Sequence, residues 1–225
     1  METYGQPTLD LLDRVIGDGV RHVVVLMRHS AREFAPDRHD LENPLTPEGR
    51  GLARELGARL PKSLTVRAYA SPPERCMETA ALVLQGHREG GGAVTRHRPL
   101  EALGVFYALD QMKMWKLMNE AGGLVPFLGA WIRKELPDDV MIPADLAALL
   151  VQRVLGDKLR QPVASDQLDL CVSHDMTLYL LREVLLGEPA RGPEVGFLDA
   201  LMLYEAGGVL WMTSHHGTPQ RLAAD

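Results

Sequence analysis

The order of patterns along the chain predicts an α/β fold. It is a three-layer α/β/α sandwich with a mostly parallel central sheet, an antiparallel edge and a helical insertion. Three observations lead there. The run Val23 to Met27 carries no polar group and is rich in β-branched side chains, as a strand covered on both faces must be. Two further strand-like runs, in "LTVRAYASPPERC" and "QLDLCVSHDMTLYLLREVLLG", end in polar residues and pass into helical periodicity. Finally, "ALMLYEAGGVLWMTSHH" reads as a hairpin turning at Ala206-Gly207-Gly208.

The elements follow in order. "PTLDLLDRVIG" is a short helix with Thr8 as its cap, and the first strand covers Val23 to Met27. "LTPEGRGLARELGARL" is a helix with Thr46 as N-cap, Pro47 at the first helical position, and Leu52, Leu56 and Leu60 on one face. "LTVRAYAS" is the second strand, after which Pro72 and Pro73 start a helix carrying Arg75 in its first turn. "GGAVTRHRPL" is a third, short strand. From Tyr107 to about Gln161 the text reads as three amphipathic helices separated by Gly and Pro breaks. Its stripe Met112, Met114, Trp115 and Met118 is assigned to packing on the core, and Lys113 and Lys116 to solvent, with a reach to substrate groups beyond the phosphate as their alternative. The whole, 1–225, reads as one domain with a helical cap inserted at about 104–165.

Composition narrows the function. A net charge of −6 and a pI near 5.8 give no overall basic field for nucleic acid. No run reaches the ~18 apolar residues of a membrane span, and the acidic, interrupted N-terminus has no signal-peptide pattern. Cys76 and Cys171 read as buried free thiols, which points to a reducing, cytoplasmic setting. The expected partner is a small molecule, and the oligomeric state is left open.

Three strand ends carry the chemistry: "RHSAR", "SPPERC" and "SHD". In one sheet their C-terminal ends converge, where open α/β sheets bind ligands. Arg28, Arg32 and Arg75 then face one small volume with His29 and His174. Three guanidiniums without matching carboxylates repel each other unless an external polyanion sits among them. Phosphate fits their bidentate geometry, and the helix after Pro72 adds its N-terminal dipole. One imidazole can attack phosphorus in line, while the other stays protonated and holds the equatorial oxygens. Asp175 can protonate the departing oxygen, or merely cap the following helix. No step calls for a metal or a cofactor. His39 and the pair His215-His216 lack a recognised ligand spacing and read as surface histidines, although His215 follows a strand and a supporting contact to the site stays open for it.

Taken together these residues resemble the histidine phosphatase superfamily, of phosphoglycerate mutase-like fold. "RHSAREF" looks like the Arg-His-Gly-x-Arg-x-Pro pattern of the acid-phosphatase branch, with Arg28, His29 and Arg32 in register. "SHDMTL" looks like that branch's His-Asp motif, whose Asp donates the proton. "SPPERCMETA" is similar to a segment of the mutase-like branch in which the Arg completes the phosphate pocket. "LTPEGR" is similar to a segment that both branches place at the start of the next helix. The resemblance covers roughly Val23 to Leu84 and Leu168 to Leu181. It implies a metal-independent phosphatase working through a phosphohistidine at His29, with Arg28, Arg32, Arg75 and His174 holding the phosphoryl group. Ser30 stands where the family has Gly, where it either donates a hydroxyl to the ligand or narrows the pocket. Phe34 stands in place of the Pro. Glu101, in "RPLEALG", is a rival to Asp175, because the mutase-like branch carries an acidic residue in a comparable segment. Three other readings stay open: mutase-like phosphoryl transfer, a metal-dependent phosphohydrolase, and a binding module that keeps the pocket without the chemistry.

Overall fold

A computed structural model describes residues 4–35 and 42–223. Its sheet has seven strands: β1 (His22–Arg28), β2 (Thr65–Ala70), β3 (Ala93–Pro99), β4 (Gln167–Ser173), β5 (Ala200–Ala206), β6 (Val209–Ser214) and β7 (Gln220–Arg221). Their spatial order is β3-β2-β4-β1-β5-β6-β7. The first four run parallel, and β5, β6 and β7 add the antiparallel edge. The helices are α1 (Gln6–Gly17), α2 (Pro47–Arg59), α3 (Glu74–Glu89), α4 (Gln111–Glu120), α5 (Leu124–Ile132), α6 (Ala144–Leu159) and α7 (Asp175–Leu185).

Alternation along β1 explains the three layers. Val23, Val25 and Met27 join one core with α1, α2 and α3, while Val24 and Leu26 join another with α4 to α7. A strand buried on both faces has no polar side to spare, and that is why this run reads as continuous aliphatics. Of the helical stretch, α6 lies on the sheet, with Ala147, Ala148, Val151 and Leu155 packed around Val24, Leu26 and Leu203. Gly57 and Gly86 let α2 and α3 touch backbone to backbone, since a Cβ at either would fall within 2.0 Å of a carbonyl oxygen on the other helix.

Local chemistry accounts for most boundaries. The Thr46 hydroxyl caps α2 by accepting from Gly49 N at 2.9 Å. The β5–β6 hairpin closes through Gly207 (φ 61°) and Gly208 (φ 71°), the left-handed pair that a two-residue loop demands. Thr8 is a correction. With Pro7 in the first turn, α1 starts at Gln6 after Gly5, and the buried Thr8 hydroxyl donates to the Leu198 carbonyl at 2.6 Å instead of capping. Met112 is a second, lying 76% exposed while Met114 and Met118 are buried. The two-residue β7 is too short to leave a period in the sequence. At the N-terminal end of the sheet, Asp169 is fully buried and accepts from Arg67 Nε and Nη2, from Gln167 Nε2 at 2.8 Å and from His22 Nε2 at 2.7 Å. Among the described residues no helix is long and apolar enough to cross a membrane.

Candidate active site

Strand register brings the site together. Arg28 pairs with Ser173 and Ala70 with Val172, so His29, Ser71 and His174 emerge side by side from β1, β2 and β4. α3 begins immediately after Pro73 and sets the buried Arg75 between the two imidazoles.

Hydrogen bonds define both tautomers. His29 Nδ1 donates to the Ser30 carbonyl at 2.8 Å, leaving Nε2 to accept from Arg75 Nε at 3.1 Å. Arg75 Nη2 lies 3.3 Å from His174 Nδ1, and because a guanidinium only donates, that nitrogen is the acceptor. His174 Nε2 therefore carries the hydrogen and donates to Ser71 Oγ at 2.9 Å. The rings meet edge to face, with centroids 5.7 Å apart. Burial above all, then His174 and Arg75 beside it, hold the His29 pKa well below the ordinary imidazole value. Burial, followed by the charge of Arg75, brings His174 down to about 3. Both imidazoles are thus neutral, and each turns a lone pair toward one guanidinium. A phosphate dianion beside His174 would raise that ring's affinity for a proton, as the imidazolium expected around the phosphoryl group needs.

A cavity of about 220 Å³ opens on this constellation, lined by His29, Arg32, Arg75, His174 and Asp175 on one side and by residues of α4 and α5 on the other. Arg32 stacks on Phe34, its guanidinium carbon 4.1 Å from the ring centroid, and donates to the Glu33 carbonyl. Asp175 opens α7, where its Oδ1 accepts from Met176 N at 2.8 Å. The N-cap position belongs to His174, which makes no side-chain cap bond, so Asp175 stands in the first turn and lines the cavity without capping the helix.

Three expected ligand contacts need correction. Arg28 does not line the cavity; its guanidinium bonds the Val195 carbonyl at 2.6 Å and Asp175 Oδ2 at 2.9 Å, and lies 4.2 Å over the Phe197 ring. The arginines therefore do not converge free of carboxylates, because Asp175 takes one of them. Ser30 is fully buried, and its hydroxyl donates to the Gly49 carbonyl at 2.7 Å, away from the cavity. It neither reaches a ligand nor fills the pocket. Glu101 is exposed on a single 3-10 turn, Glu101–Leu103, and stands outside the cavity lining.

Other partners carry no motif of their own. Ser71 orients His174, Thr79 Oγ1 accepts from Ser30 N at 3.1 Å, and the Val195 carbonyl anchors Arg28. A Ser at a strand end beside two others of the same kind was the available signal for Ser71. Cys76 and Cys171 are buried free thiols, and burial pushes Cys76 up to about 12. His39 lies outside the described residues. His215 and His216 are not two isolated surface rings: with Asp199 they place ligand-type atoms within 4.8 Å of one another, and His215 Nδ1 is buried. That group borders a separate cavity, of about 660 Å³, that also touches Arg28 and Phe197.

Residues 24–103 match the family model of the histidine phosphatase superfamily (branch 1). The fold matches YhfR of Bacillus stearothermophilus, with 20% identity, a TM-score of 0.58, and coverage of 86% of this chain and 96% of that one. It also matches a phosphoglycerate mutase of Bacillus anthracis, at 19% identity and TM-score 0.56, over 88% and 94% of the two chains. A phosphoserine phosphatase of Entamoeba histolytica, in complex with phosphoserine, matches at 16% identity and TM-score 0.54, over 86% and 95%. No curated protein matches the chain by sequence. The chain thus has a phosphoglycerate mutase-like fold, and its stretch 24–103 is similar to the histidine phosphatase superfamily. The family match is to branch 1, and the likeness to the acid-phosphatase branch rests on Arg32 and His174-Asp175 alone.

Proposed function

We propose that the protein is a phosphatase that hydrolyses a small phosphomonoester through a phosphohistidine at His29. The observation that carries this reading is the neutral, buried His29, whose Nε2 lone pair is held toward the cavity by the Nδ1 bond to Ser30. In the first step Nε2 attacks phosphorus, the bond from phosphorus to the ester oxygen breaks, and that oxygen takes a proton from Asp175. In the second, water attacks phosphorus, its proton returns to Asp175, and the P–N bond breaks to release inorganic phosphate and free imidazole. Arg75 must leave the two lone pairs for the phosphate oxygens, which frees His29 Nε2 as the substrate seats. Arg32 and His174 complete the anion's surroundings as charge spreads over the equatorial oxygens. Arg28 acts through Asp175 by fixing where its carboxylate stands.

The test is acid-labile, base-stable phosphate on the protein after rapid quench with a labelled ester. His29→Ala must abolish both the label and turnover. A variant that kept most of its rate would remove His29 as nucleophile. Product analysis with phosphoglycerate separates hydrolysis from the mutase-like alternative.

A further inference from the structure

The cavity has a second half, which hydrolysis itself does not require. Apart from the histidines, arginines, Asp175 and Gly123, its lining is Val105, Met114, Trp115, Met118, Leu124 and Met176, with the Asn119 amide as a lone polar side chain. We infer that this wall selects phosphomonoesters whose alcohol is uncharged, apolar and no larger than a single ring. The inference rests on the phosphatase reading of the same site and adds its substrate class.

Charge decides the first part. Among the described residues, no cation beyond Arg32 and Arg75 lines the cavity. The two lysines of α4 face outward, Lys113 onto Asp139 and Lys116 toward Glu120 at 3.8 Å. A carboxylate carried on the alcohol would meet thioethers and an indole, with the Asn119 amide as its one polar neighbour there. That placement strips an anion of water without a cation to pair with it.

Packing decides the second. Met114 and Met118 are fixed in the core, 2% and 8% exposed, so the wall is a built surface and not a loose flap. Thioethers and an indole favour a flat or aliphatic group. At about 220 Å³ the cavity is below the roughly 300–1,000 Å³ of pockets for drug-sized ligands, so a nucleoside would extend past the wall and gain little from it.

Benzyl phosphate, O-phospho-L-serine and 3-phosphoglycerate all release alkyl alcohols, so they compare the wall and not the leaving group. The expected kcat/KM favours benzyl phosphate on the order of 100-fold. Trp115→Arg should narrow or reverse that ratio, while Trp115→Phe keeps it. Calorimetric binding of benzylphosphonate against phosphonoacetate needs no turnover. Tighter binding of the apolar phosphonate by a protein that hydrolyses nothing would uphold the wall's selectivity and reject the phosphatase reading. Equal or inverted preference in both assays overturns the inference and leaves the phosphatase reading standing wherever turnover depends on His29.

Discussion

Replacing Gly49 with Ala would set a Cβ 2.1 Å from the Ala31 carbonyl oxygen, where real contacts of this kind essentially never fall under 3.0 Å. The first turn of α2 and the segment after His29 must therefore part by about 0.9 Å. Two hydrogen bonds lie across that seam: Ser30 Oγ to Gly49 O at 2.7 Å, and Thr46 N to Ala31 O at 3.0 Å. At about 1 kcal/mol each, with added overpacking strain, the substitution should cost about 2–4 kcal/mol. For a chain of this size that lowers Tm by roughly 5–12 °C. The displaced residues include Ser30, whose carbonyl fixes the His29 tautomer. A shift near 1 Å at reacting groups costs about 100-fold, so kcat/KM should fall by that order in protein that is still folded. Gly51→Ala is the control, because a Cβ there meets nothing within 4 Å on the same helix. It should leave kinetics unchanged and add up to about 1 kcal/mol. Thermal unfolding and steady-state kinetics with benzyl phosphate measure both variants. If Gly49→Ala behaves like Gly51→Ala, the seam does not position the nucleophile.

Further outcomes follow from the same geometry. Asp175→Asn should lower kcat about 10²–10⁴-fold for benzyl phosphate but far less for p-nitrophenyl phosphate, whose leaving group needs no proton. Glu101→Gln should leave both rates unchanged, and the reverse ranking would make Glu101 the proton donor. His29 and His174 both have native pKa values below the unfolded value near 6.5, so the unfolded chain binds protons first as pH falls. Their contribution to stability is complete above pH 6.5 and declines below it. Urea unfolding across pH 5–8 should show that slope, reduced in a His174→Gln variant. Phosphate binding should take up a proton at pH 5–6, because the anion raises His174 from about 3. Calorimetry in buffers of different ionisation enthalpy measures that uptake, and a null result would keep His174 neutral throughout.

Readability from sequence tracked the range of the interaction. Local rules sufficed for the Thr46 cap, the Gly207-Gly208 turn and the aliphatic run of β1, since each depends on residues a few positions apart. Convergence of His29, Arg75 and His174 was also legible, because all three follow strands whose hydrophobicity marks them as neighbours in one sheet. The misreadings arose where a side chain chose between nearby options. Arg28 shares its strand end with His29, yet packing on Phe197 and pairing with Asp175 turn it from the cavity. Ser30 looked available to a ligand, and only the close approach of α2 shows where its hydroxyl goes. No spacing rule joins Asp199 to His215 and His216, which the fold brings together from separate strand ends.

The cluster around Asp169 has a consequence for the opposite end of the sheet. Parallel strands have no hairpin to align them, and β2 and β4 are separated by some hundred residues of chain. Arg67 sits directly across from Asp169, and His22 across from Gln167, so these four side chains engage only when β1, β2 and β4 are in step. A slip of one residue would strand a buried carboxylate and also move Ser71 past His174 by about 3.3 Å. The cluster thus works as a ruler, gauging at one edge of the molecule the alignment that chemistry uses at the other.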